Sequence, residues 1–199
     1  VSPRNAEQNE QIKDERREQI LSAALKVFGK KGFAATKISD IVAGAGMSHG
    51  LVYHYFRSKE EIFYELLKRA MMTSSQSLLL VDKMPVSPLE KVRETARYIL
   101  GSINSYQDSA HYFLMVLHAS VMEAPEDIRE LMSLSNITLQ TFGRIVTEGQ
   151  KMGEIREGDP QEMTIAFFAA IQGIALYKLS MENFKIPDPE ILVNMLKKI

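Results

Sequence analysis

The sequence predicts an all-α protein of about nine helices, on the strength of three observations. Apolar residues recur at helical spacing through most of the chain, no segment alternates as a half-buried strand would, and no repeat or low-complexity tract intervenes. With 199 residues the chain can bury a core without staples. The expected organisation is an N-terminal three-helix unit over residues 1–57 and a larger helical bundle over 58–199.

From Asn9 to Lys31, residues Ile12, Ile20, Leu21, Ala24, Leu25, Val27 and Phe28 mark one amphipathic helix, stopped at Gly32. Two short segments follow, Thr36 to Ala45 and Ser48 to Phe56, with Thr36 and Ser48 each placed to cap a helix. Ser58-Lys59-Glu60-Glu61 reads as a capping box, with Glu61 reaching back to the cap, and it opens a long helix to about Leu79. After a linker around Met84–Pro88, helical patterns cover Leu89–Tyr106, Ser109–Glu123, Pro125–Met152, Pro160–Met181 and Asp188–Ile199.

Composition excludes several chemistries. The chain has no cysteine, so thiolate catalysis, disulfides and thiolate zinc sites are absent. It carries no Gly-rich phosphate loop, no HExxH and no Gly-x-Ser-x-Gly elbow, and its carboxylates are scattered over amphipathic faces. The expectation is therefore a protein that is not an enzyme and needs no cofactor or metal. The stretch from Val1 to Arg17 is polar, and no apolar run approaches the ~18 residues of a membrane span, so a soluble cytoplasmic protein is expected. The net charge is −1, yet residues 1–60 hold ten Lys and Arg against seven Asp and Glu, while the rest of the chain is acidic. That asymmetry turns the basic end toward phosphates.

Two short helices joined through Ala45-Gly46-Met47-Ser48 make a helix-turn-helix, with Gly46 taking the backbone conformation that side chains resist and Ile41, Val42, Leu51 and Val52 packing the pair. The full string runs from Gly32-Phe33-Ala34-Ala35-Thr36-Lys37 through Ala45-Gly46-Met47-Ser48-His49-Gly50-Leu51-Val52-Tyr53-His54-Tyr55-Phe56 to Ser58-Lys59-Glu60-Glu61-Ile62. Over about thirty contiguous positions it closely resembles the TetR family signature. His49 departs from it, standing where many relatives carry Lys or Arg.

The resemblance implies a TetR-like fold and a sequence-specific DNA-binding transcription regulator. It also implies that the regulator is a homodimer, binding a near-palindromic double-stranded operator as a repressor and released by a small apolar or amphipathic effector. Thr36, Ser48 and Lys59 would then meet the DNA backbone, Lys37 would belong to the same DNA-binding set, and Tyr53, His54 and Tyr55 would add contacts to phosphate or sugar. His49, Gly50 and Leu51 would lie at the front of the recognition helix, against base edges. Arg16 and Arg17 are either further phosphate partners or a solvated helix face. Thr36 and Ser48 have the alternative of being caps alone, and Tyr53 that of being largely core. Two rivals fit the same residues: a DNA-architectural protein of low specificity, and a helical small-molecule-binding protein without DNA function.

In the bundle, Tyr106, His111, Tyr112, Met115, His118, Met122, Phe142 and Phe168 have the methionine and aromatic character of an effector pocket, and equally of an ordinary core. His111 and His118 are separated by about 10.5 Å of helix rise, too far to share a metal. The Pro160–Met181 segment is apolar nearly all round. Its small residues Ala166, Ala170 and Gly173, with Ile191, Leu192 and Met195 of the last helix, are expected to form a four-helix dimer interface.

Overall fold

The computed structural model describes residues 3–105, 108–122 and 126–199. Among these residues the architecture is all-α, with nine helices. α1 spans Pro3–Ala35, but Gly32 breaks its geometry with φ 72° and ψ 169°, the break expected there. α2 (Ile38–Ala45) and α3 (His49–Tyr55) are joined through Gly46, whose φ of 63° and ψ of 34° are left-handed. α4 (Lys59–Asp82) is capped by Ser58, which accepts from the Glu61 amide. The Glu61 carboxylate reaches back one residue further than the capping box predicts, accepting from the Arg57 amide at 2.6 Å.

The remaining helices are α5 (Pro88–Ser105), α6 (Ser109–Val121), α7 (Glu126–Lys151), α8 (Pro160–Ser180) and α9 (Glu190–Asn194). The Asp159 carboxylate accepts from the Gln161 and Glu162 amides, which fixes the start of α8 ahead of the proline in its first turn. The expected helix over Asp188–Ile199 shrinks to the five residues of α9. Leu192, Val193 and Leu196 turn inward, and the chain beyond pairs Lys197 with Ile155 in an antiparallel bridge.

Two cores result. Ile20, Leu25 and Phe28 of α1, Ile41 and Val42 of α2, Val52 of α3 and Ile62 to Met71 on α4 form the first, completed by Met115, Ala119, Ile128 and Leu131 from α6 and α7. The second joins Leu78 to Val92, Ala96 and Leu100 of α5, Phe142, Ile145 and Val146 of α7, Phe167 and Ile171 of α8, and Leu192, Val193 and Leu196. α4 therefore contributes to both, its first half to one and its end to the other. Ion pairs lace α4 to α1: Arg69 of α4 meets Glu18 at 2.7 Å and Arg17 of α1 meets Glu65 at 3.4 Å, while Arg69 and Glu65 pair along α4 at 2.9 Å.

α8 buries one face through Met163, Phe167, Ile171 and Ala175, and turns Ile165, Ala166, Ala169, Leu176 and Tyr177 outward. By length and composition alone it is also apolar enough to cross a bilayer, a test that a core helix passes as well.

Candidate nucleic-acid interface

α3 is a seven-residue helix held from beneath. Val52 is fully buried, Phe56 follows it into the core, and Leu51 and Tyr55 are half-buried. The opposite face presents His49, Gly50, Tyr53 and His54 to solvent, with Tyr53 50 % exposed. Ser48 caps the helix by accepting from the Leu51 amide at 3.3 Å and stays exposed. No atom comes within 4 Å of a Cβ built on Gly50, so nothing inside this chain requires glycine there. The His49 and Tyr53 rings lie 6.5 Å apart in stacked orientation. The exposed face holds two imidazoles, a phenol and a bare backbone, a set able to donate to or accept from base edges and phosphates.

Two exposed cations flank α2 and α3 in the sequence. Lys37, immediately before α2, and Arg57, immediately after α3, are both exposed. Arg57 was not singled out in the sequence; its place at the exit of the recognition helix was the available signal. The nearest acidic residue on α2, Asp40, is occupied by Lys31 at 2.9 Å and by the Lys37 amide at 3.0 Å. The Lys37 amide first, and Lys31 after it, hold its carboxyl below the ordinary value of 3.8.

Two expected phosphate contacts are placed elsewhere. Thr36 is 1 % exposed and its hydroxyl donates to the Gly32 carbonyl at 2.7 Å, so it neither caps α2 nor faces outward. Burial at the break in α1 consumes the hydroxyl. Lys59 points back into the protein: its Nζ donates to the carbonyl oxygens of Phe33 at 3.0 Å and Thr36 at 2.8 Å, and lies 4.5 Å from the centre of the Phe33 ring. Arg17 is also occupied, its guanidinium 4.9 Å from the Phe56 ring centre and paired with Glu65.

The expected effector residues do not converge. Tyr106 lies outside the described residues. Met115 is buried in the first core, with Tyr112 and Met122 packed against it. His111 and His118 face α1, at Gly29 and Gly32. Only Phe142 and Phe168 belong to the second core region, their rings 5.2 Å apart. A separate small cavity of about 40 Å³ lies between α4, α5, α7 and α8, mostly apolar in surface, with Ser74, Ser77, Thr95, Tyr98 and Thr138 among its lining residues beside Leu78 and Phe168. The serine-rich stretch Thr73-Ser74-Ser75-Gln76-Ser77, unusual inside a helix, was the sequence signal for it.

The expected dimer residues also divide. Ala166 and Gly173 lie on the outward side of α8, Ile191 is 56 % exposed, and Ala170 packs partly on the second core. Leu192 is 1 % exposed inside its own subunit and Met195 packs beside it, so neither stands on an outer face. α9 packs mainly on α5 rather than lying along α8, because its apolar residues complete the second core.

Comparison with known proteins converges on one group. Residues 20–66 match the family model described as bacterial regulatory proteins, tetR family. The fatty acid metabolism regulator protein of Bacillus subtilis is 27 % identical over 143 residues, 70 % of this chain and 71 % of that one. The ketosteroid transcriptional regulator KstR2 of Mycobacterium tuberculosis superposes with a TM-score of 0.76 at 18 % identity, covering 92 % of this chain and 96 % of that one. AibR, solved in complex with isovaleryl coenzyme A and operator DNA, superposes with a TM-score of 0.69 at 16 % identity over 90 % and 94 % of the two chains. At those identities the two structures establish the fold.

Proposed function

We propose that the chain is a TetR-family DNA-binding transcription regulator, a cytoplasmic homodimeric repressor released by a small molecule; the match of residues 20–66 to the tetR-family model supports this. The observation that carries the reading is α3, whose buried anchors Val52 and Phe56 leave His49, Gly50, Tyr53 and His54 outward at the basic end of the chain. Residues 1–57 supply the reading head, and 58–199 the sensing and dimerising bundle. The outward apolar face of α8 supports self-association: Ile165, Leu176 and Tyr177 are each about half exposed in the single chain. A two-fold dimer sets two recognition helices against half-sites about 34–36 Å apart, which calls for a near-palindromic operator.

The mostly apolar cavity between α4 and α8 supports effector entry there, and AibR, of the same fold, is a complex with an acyl thioester and DNA. At about 40 Å³ it holds a water or two, whereas small-molecule sites run to roughly 300 Å³ and above, so entry has to spread α4 from α5. That spreading couples ligand to DNA only if the ligand prefers the spread form, and a hundredfold loss of operator affinity requires about 2.7 kcal/mol of such preference. The work of the chain on this reading is binding, not catalysis.

The test is a gel shift with DNA from upstream of its own gene against random competitor. Retention of that fragment under excess random duplex, as a species carrying two chains, is the expected result. Equal competition by random duplex would instead favour an architectural DNA protein.

A further inference from the structure

We infer that Lys59 is a positioning residue: its ammonium pins the turn between α1 and α2 to the first residue of α4, and operator selectivity depends on that pin. The inference rests on the reading of the chain as an operator-binding regulator. Three contacts converge on one nitrogen, the Phe33 carbonyl at 3.0 Å, the Thr36 carbonyl at 2.8 Å and the face of the Phe33 ring at 4.5 Å. An ammonium has three donors, so two carbonyls and a ring leave it little with which to hold a phosphate. Both carbonyls belong to the stretch after the Gly32 break, where the Phe33 carbonyl also accepts from the Thr36 amide at 3.2 Å, and the cation sits at the negative end of α1.

The place of the pin makes it a joint. Downstream of Thr36 the chain enters α2 and then α3, so fixing that carbonyl fixes where the recognition helix begins. Phe33 is held in turn by Phe63 on α4, with ring centres 4.8 Å apart, so the turn is attached to α4 by charge and by packing. The same helix continues to Ser74, Ser77, Leu78 and Val81 at the cavity, about 27 Å from Lys59 to Ser77 at 1.5 Å per residue. A displacement of α4 at the cavity therefore reaches the reading head through a contact that Lys59 makes.

The test compares wild type, Lys59→Met and Lys59→Arg on an operator duplex selected from random DNA by the purified wild-type protein. Methionine keeps most of the stem over Phe33 and removes the charge. Operator affinity should fall about tenfold, the loss expected for one or two hydrogen bonds to a charged group. The ratio of operator to random binding should fall with it. The slope of log affinity against log salt should move by less than about 0.3, because no phosphate partner is lost. Without DNA, amide exchange at Thr36 and Asp40 should quicken by about tenfold in the same variant, and arginine, whose guanidinium can reach both carbonyls, should restore both readouts. A slope flattened by about one with unchanged exchange would make Lys59 a phosphate contact and overturn the proposal. So would wild-type selectivity in Lys59→Met. Should that variant melt below the assay temperature, Phe33→Leu removes the ring with its contacts to the ammonium and to Phe63, the charge and packing attachments together, and is expected to lower selectivity several-fold at constant salt slope; unchanged selectivity there overturns the proposal equally. A wild-type protein that selects no operator would remove the regulator reading, while the exchange measurement would still decide the pin.

Discussion

The His111 side chain occupies the space that a Cβ on Gly29 would need: its Cδ2 would lie 3.1 Å away, its Cβ 3.2 Å and its carbonyl oxygen 3.2 Å. α1 and α6 meet here at backbone distance. Ser22 donates to Asp108 at 2.6 Å and Lys26 pairs with the same carboxylate at 3.2 Å, fastening the start of α6 to α1. In Gly29→Ala the gain in helix propensity, about 1 kcal/mol, competes with crowding against a backbone oxygen that cannot rotate away. Gly29→Leu has no such balance and is expected to cost about 3 kcal/mol. Urea titration of both variants checks the order, and a leucine variant as stable as wild type would mean that α6 can lift off α1 freely.

Acid should loosen the contact between α1 and α4. Burial pushes the Glu65 carboxyl up, but hydrogen bonds from Arg69 and Arg17 outweigh that and leave it below its ordinary value of 4.5. A carboxylate lowered in the folded chain stabilises it above 4.5, and that contribution disappears as the pH falls through the lowered value. Glu65→Gln should cost about 1 kcal/mol or less at pH 7, since the pair is partly exposed. Melting curves between pH 5 and 3 should then fall less steeply for Glu65→Gln than for wild type.

Lys37 and His49 should fail differently on DNA. Lys37 is an exposed charge ahead of α2, so Lys37→Ala is expected to weaken binding to all sequences alike and flatten the salt slope by about one. His49 stands exposed at the front of α3, so His49→Ala should relax discrimination at one base pair by roughly 1–3 kcal/mol at nearly constant slope. Affinities on a full set of single-base operator variants decide between them. Unaltered ratios for His49→Ala would move the reading of sequence to Tyr53, His54 or DNA shape.

Gly173 offers a clean probe of self-association. A Cβ built there meets nothing within 4 Å in its own chain, so Gly173→Leu should leave the single subunit as stable as before or slightly more so. At a close helix contact between subunits the same leucine should cost about 1–3 kcal/mol in each copy. Sedimentation should then show dissociation together with loss of operator binding, and an unchanged dimer would put the interface on another face.

The parts legible in the sequence are those whose signals are local. Gly32 and Gly46 each mark a backbone conformation that a side chain would strain, and Ser48 and Ser58 each accept from the amide three residues on, as their positions predict. Thr36 has the same cap-like position and does something else, because its hydroxyl finds the Gly32 carbonyl four residues back once the chain bends. The partners of Lys59 are 23 and 26 residues away and are backbone oxygens, which no side-chain pattern announces. His111 and Tyr112 look like pocket residues by type, yet they occupy the side of α6 that covers α1, a matter of tertiary docking. The apolar spacing of the last segment predicts a full helix over residues 188–199. The pairing of Lys197 with Ile155 and the burial of Leu196 end it early.

Completion of the first core by Met115, Ala119, Ile128 and Leu131 has a consequence during synthesis. The ribosome releases Leu25 and Phe28 about 90 residues before Met115, a delay of roughly 5–18 seconds at 5–20 residues per second. Throughout that interval α1 and the first half of α4 lack the helices that roof them. The reading head should therefore remain open to protease on nascent chains arrested near residue 100, and become resistant only on chains long enough to let α6 and the start of α7 clear the exit tunnel. Early resistance on the shorter chains would show that α1 to α4 close over themselves, in which case the α6 contact is added to a head already folded.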